Sequence, residues 1–327
     1  MCSSDLRRIF GDVYWLKENA EFLNILETTG AYSNSFDLSI YDQFYSSVEL
    51  QMSFFPQYYR FFLELALDLD ALGMTKNKGA QLAQWVHDAD LIQGELSDLQ
   101  RGETMRLLAR ADIKTGQSDA IEERLRTYMD HSATFALPNK KASYELTHLV
   151  FYLSEYGRKD PVLSPDAKTS LEYVGLLAVL DMNADLLSEV CVAMRFAGMS
   201  PPQEWDQWIA DMRSQFRVSA TPDDRDDYHQ FMMMQWSHMI ATCQGFQGPF
   251  DAQVHSFIPP LHYVSPLRQM SETLFSMETA RSEDWDKMRG HVSVDLTEQA
   301  YEILEMAERT SRKFHDFFGY FSRCHPV

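Results

Sequence analysis

The stretch SYELTHLVFYLSEYGRKDP (residues 143–161), followed by TSLEYVGLLAVLDMNADLLSEVCVAMRFAGMSPPQEW (169–205), decides the fold class. Leu146, Leu149, Val150 and Leu153 recur at spacings of three and four, and Leu171, Val174, Leu177 and Val179 form a comparable stripe. Those spacings put apolar side chains on one face of a helix. Gly157 and Gly198 each follow a helical stretch, where a left-handed closing residue is favoured. Ser164-Pro165-Asp166 offers an N-cap serine ahead of a first-turn proline. The two segments therefore read as helices joined by short links.

The same pattern extends outward. Phe61, Leu65, Leu69 and Leu72, widened by Phe62 and Leu63, make one apolar stripe; Leu82, Trp85, Val86, Ala89 and Ile92 make another. Gly73 and Gly116 are further helix stops, and Thr221-Pro222-Asp223 reads as another helix start. Between about 73 and 220 the connections are short, which forces neighbouring helices to be antiparallel. The hairpins recur without a recurring consensus, so a strict repeat array is not expected. The expectation is one all-α domain over 1–327: consecutive antiparallel helical hairpins forming an irregular bundle, or a helical toroid around a pocket.

One segment breaks the helical pattern. Residues 245–268, GFQGPFDAQVHSFIPPLHYVSPLR, contain Pro249, Pro259, Pro260 and Pro266, which exclude a continuous helix. Phe246, Phe250, Phe257, Ile258, Leu261 and Tyr263 make it too apolar for a free linker. It reads as an irregular apolar loop, a lid or pocket wall. A long C-terminal helix is expected at about 297–320, carrying Tyr301, Leu304, Ala307, Phe314 and Phe318.

Composition narrows the function classes. The chain has 327 residues, 45% hydrophobic and 24% charged, with only 12 Pro and 14 Gly, which suits a helical globular protein. A net charge of −19 leaves no basic face to replace counterions, so nucleic acid is not an expected partner. No apolar run reaches the length of a membrane span, about 18 residues. The opening MCSSDLRRIFGDVYW lacks a signal-peptide core, and the expected location is cytoplasmic. Cys2, Cys191, Cys243 and Cys324 are far apart and read as reduced thiols.

Three groups of residues carry candidate chemistry. Glu145 and His148 share a helix face at i and i+3, the Glu-x-x-His element of di-iron bundles; Asp226 and His229 repeat that spacing. Ten histidines and 48 acidic residues in 327 positions give about 1.5 such matches by chance, and two are present, so spacing alone assigns nothing. Glu145, His148, Asp226 and His229 are the candidate ligands of a divalent metal. Glu145, His148 and His255 are the candidate acid–base residues, with Asp251 as a partner for His255. His238 and His262 complete a loose histidine group, and Met232-Met233-Met234 reads as core filling.

Two resemblances add to this reading. Residues 142–206 resemble an uncharacterised bacterial family of all-helical proteins with no assigned activity. Asp223-Asp224-Arg225-Asp226-Asp227 resembles the DDxxD motif of class I terpene synthases, where clustered carboxylates hold Mg²⁺ against a diphosphate. In that family the motif ends a helix before mid-chain, whereas here it opens a helix past residue 220, and the downstream triad is missing. Asp181, Asp185 and Glu189 have the triad's spacing but come too early. The expected function is therefore a small-molecule enzyme with a Glu/His site, metal-assisted or not. The alternatives are a non-catalytic helical scaffold for a protein or peptide partner, and a divergent terpene-synthase-like enzyme.

Overall fold

The computed structural model describes residues 11–31, 37–116, 118–245, 256–260 and 264–324. Among the described residues there are sixteen α-helices and two three-residue strands, so the chain is all-α. The described residues fall into two compact units: those within 1–125, 218–232 and 245–257 in the first, and those within 126–217, 233–244 and 258–327 in the second.

In the first unit, helix α3 (Tyr59–Leu72) packs against α1 (Val13–Thr29), α2 (Asp42–Phe54), α4 (Lys78–Asp88) and α5 (Asp98–Arg110). Its central position follows from its sequence, FFLELALDLDAL (61–72), which is apolar on most sides. The core gathers Trp15, Phe44 and Phe62, with Trp15 and Phe44 rings 5.3 Å apart. α5 ends without Gly116: Asp112, with φ 60°, takes the left-handed position after it. The glycine lies four residues beyond.

The second unit begins within the last turn of α6 (Ser118–Met129) and continues into the short α7 (Ser132–Phe135); α9 (Pro165–Leu180) is central to it. Every residue of α9 from Tyr173 to Leu180 is buried. Around it pack α7, α8 (Lys140–Leu153), α10 (Ala184–Phe196), α13 (Pro266–Ser276), α15 (Glu298–Thr310) and α16 (Phe314–Phe321). Ser164 caps α9 as expected, accepting the Ala167 N–H at 2.9 Å. α11 (Gln203–Gln215) approaches so closely that a Cβ on Gly175 would lie 2.3 Å from the Trp205 ring. α14 (Trp285–Ser293) contributes Trp285, which packs on Phe314 and Phe318.

Three expectations change. The C-terminal helix is two helices, because Ser311 is extended (φ −135°, ψ 129°) and its hydroxyl accepts the Lys313 N–H at 3.1 Å. A serine that offers the backbone an alternative acceptor is well placed to end a helix. The Thr221-Pro222-Asp223 start is a turn; α12 spans Tyr228–Thr242, and Asp227 accepts the Gln230 N–H at its entrance. The 245–268 segment is not wholly irregular: β2 (Ser256–Ile258) pairs with β1 (Arg217–Ser219), and α13 begins at Pro266. Asp251, His255 and His262 lie outside the described residues.

Candidate functional site

The second unit brings two helix faces together. On α8, Thr147 and His148 lie three and four residues beyond Tyr144, and on α10 Asp185 and Glu189 are one turn apart. Side chains at those offsets share a face, and α8 packs against α10. Each helix is started by an asparagine: Asn139 accepts the Ala142 N–H and Asn183 accepts the Leu186 N–H. Fixed starts set the register at which the two polar rows meet.

Glu189 is only 1% exposed. Its Oε2 accepts the Thr147 hydroxyl at 2.6 Å and faces His148 Nε2 at 3.7 Å. Thr147 also bonds the Tyr144 carbonyl at 2.9 Å, so one hydroxyl proton serves two acceptors. Carboxylate oxygens of Asp185 and Glu189 lie within 4.8 Å of each other. Asp185 Oδ2 accepts the Tyr144 hydroxyl at 2.7 Å, and Asn183 donates to that hydroxyl at 3.4 Å. Burial, reinforced by the Asp185 charge, holds the Tyr144 phenol well above its ordinary range, so Tyr144 stays a donor.

The His148 imidazole is 39% exposed. Its ring lies 6.0 Å from Phe151 and 6.1 Å from Tyr152, and Phe151 stands edge-on to Trp236 at 4.9 Å. The cluster thus joins a buried carboxylate to a solvent-accessible imidazole beside aromatic rings. Such a pair suits general acid–base work, the carboxylate stabilising the imidazolium. The paired carboxylates of Asp185 and Glu189 are also donors suited to a divalent cation.

The two residues of the expected pair have these partners. Glu145 turns toward Tyr128 and Lys141, accepting the Tyr128 hydroxyl at 3.4 Å, while Glu189 supplies the carboxylate that faces His148. In the first unit, Asp226 accepts the Phe257 N–H at 2.7 Å and His229 Nε2 stands 3.6 Å from Glu21. Asp223 accepts the Arg225 N–H at 2.9 Å and pairs with its guanidinium. These aspartates act as turn and cap acceptors.

A family model matches residues 1–324. The chain belongs to the family described as Domain of unknown function (DUF6902). The match extends the family likeness from residues 142–206 to nearly the whole length. No curated protein and no solved structure matches the chain. Nothing in these comparisons supports the likeness to terpene synthases. Among the described residues, no helix is long and apolar enough to cross a membrane.

The first unit of this family member holds a second polar cluster that the helical pattern did not reveal. Glu64 and Asp68 on α3 face Arg106 and Arg110 on α5, both pairs offset by one turn. Arg106 reaches Glu64 at 2.5 Å and Arg110 reaches Asp68 at 2.8 Å; Asn24 of α1 donates to Glu64 at 3.0 Å. Asp68 is 0% exposed. Burial pushes both carboxyls up, against the pull of the two guanidiniums. Arg60 extends the network to Glu95 at 2.9 Å and to Glu103. The visible signal was three acidic residues, Glu64, Asp68 and Asp70, inside an otherwise apolar helix.

Proposed function

We propose that this protein is a small-molecule enzyme whose working centre is His148 with Glu189, on α8 and α10. The observation that supports it is the buried Glu189 carboxylate, held by Thr147 and turned toward a solvent-accessible imidazole. His148 takes a proton from a bound substrate, and Glu189 stabilises the resulting imidazolium across 3.7 Å. A divalent cation, when bound, supplies Lewis acidity beside this centre, with the Glu189 and Asp185 carboxylates as its ligands. Tyr152 and Phe151 give the substrate an apolar wall. Free Cys191, Cys243 and Cys324 fit a reducing compartment such as the cytoplasm.

Protein purified without chelator, then titrated with Mn²⁺ and Zn²⁺ by calorimetry, tests the metal arm. One ion per chain, lost in Asp185→Asn and in Glu189→Gln, is expected; no binding removes the metal from the proposal. A thermal-shift screen of small metabolites tests the enzyme itself: the hits should disappear in His148→Ala. Hits that survive that change place the centre elsewhere.

A scaffold for a protein or peptide partner is the second reading. It is favoured by Leu50 and Phe54, one turn apart on α2 and 73% and 74% exposed, with Phe55 beside them. Exposed apolar residues grouped in this way mark interaction surfaces. Under this reading the double substitution Leu50→Ser, Phe54→Ser abolishes partner binding and leaves the metabolite hits intact.

A further inference from the structure

The second unit carries a groove of about 1030 Å³, well away in composition from the His148 centre. It runs along the ends of α6 and α7, the middle of α9, the start of α14 and one face of α16. Asp130, Glu283, Asp284 and Asp316 line it, and no lysine or arginine does. Lys287 pairs with Asp284 at 2.9 Å, and Asp130 accepts the Ser164 hydroxyl at 2.5 Å. Among the described residues Asp316 has no cationic partner.

A further observation concerns Tyr173. This side chain is 2% exposed and lines the groove, yet among the described residues its hydroxyl meets no hydrogen-bond partner. That hydroxyl is not sealed from solvent, so it stands open to a donor that enters the groove. The Asp316 charge nearby, after burial itself, holds the Tyr173 phenol in its neutral form. Tyr320, 45% exposed, offers a ring face at the rim and stands 6.3 Å from Tyr173.

We infer that this groove binds a linear aliphatic polyamine. The carboxylates repel anions and attract ammonium groups. The tyrosine hydroxyl accepts a hydrogen bond from an ammonium, which carries only donors, and an exposed tyrosine ring attracts a cation at its face. The volume suits an extended molecule and exceeds what a single metal ion needs. His131 and His315 also line the groove, which makes a divalent metal the rival occupant.

The test is calorimetric titration of the full chain with spermidine at low ionic strength, with Mg²⁺ and Zn²⁺ titrated separately. One saturable spermidine site is expected. Asp316→Asn weakens it about threefold and Tyr173→Phe roughly tenfold, both with unchanged melting temperature. Glu283→Gln, on an exposed residue, serves as the second groove variant and weakens binding about threefold. Glu122→Gln on α6, outside the groove, leaves the affinity unchanged and controls for the net charge of −19. Spermidine binding that Glu283→Gln and Asp316→Asn leave intact overturns the inference. So does a metal that binds more tightly than spermidine and is lost in His315→Ala.

Discussion

At the scale of single residues, Thr147 and Gly175 show how much one side chain, or its absence, decides. The Thr147 hydroxyl is the donor that makes Glu189 tolerable in a buried position. Thr147→Val keeps the shape and removes the donor, and should cost about 1–3 kcal/mol by urea unfolding. An unchanged midpoint would mean that Glu189 finds another donor. Gly175 admits the Trp205 ring against the backbone of α9. Alanine ordinarily improves a helix interior by up to about 1 kcal/mol. Here the Cβ would sit 2.3 Å from the ring, so Gly175→Ala should instead destabilise by about 1–3 kcal/mol. A rise in melting temperature would contradict that packing. Thr147 was invisible as a site residue in the sequence, since nothing local says which carboxylate its hydroxyl meets.

At the scale of helices, the α3–α5 ladder has the clearest thermodynamic signature. Removing one partner of a buried ion pair leaves an uncompensated charge, so Arg106→Met should cost about 3–5 kcal/mol near pH 7.5. The cost should shrink toward pH 5, where Glu64 can take a proton. Adding Glu64→Leu to Arg106→Met should recover most of the loss, and additive losses would deny the coupling. The sign of the wild-type pH effect follows from the raised carboxyls. Between about pH 4 and pH 7 the folded chain holds protons that the unfolded chain has released. The contribution of Glu64 and Asp68 to stability is therefore largest at the acidic end and falls as pH rises through that window. Urea midpoints at pH 5 and pH 7.5, compared between wild type and Glu64→Gln, measure it. The i, i+4 offsets at 64/68 and 106/110 were readable in the sequence, but the pairing of the two rows belongs to tertiary packing.

At the scale of the molecule, apolar periodicity carried the all-α class, and caps such as Ser164 carried helix starts. Periodicity reports which face of a helix is apolar and says nothing about which helix covers it. That is why Glu145 was a natural partner for His148 along one helix while the structure supplies Glu189 from another. It is also why the break at Ser311 was missed: the stripe of Leu304, Ala307, Phe314 and Phe318 runs on across a residue whose own hydroxyl ends the helix. The net charge of −19 predicts a collective behaviour as well: solubility should drop as the pH is lowered from 7 toward 5, measurable by turbidity. The ladder has a consequence in the currency of descent. A lineage that lost Arg106 alone would carry an unstable intermediate, so positions 64 and 106, and likewise 68 and 110, should change together among the members of this family or not at all. Their substitution histories should read as two linked pairs rather than four independent sites.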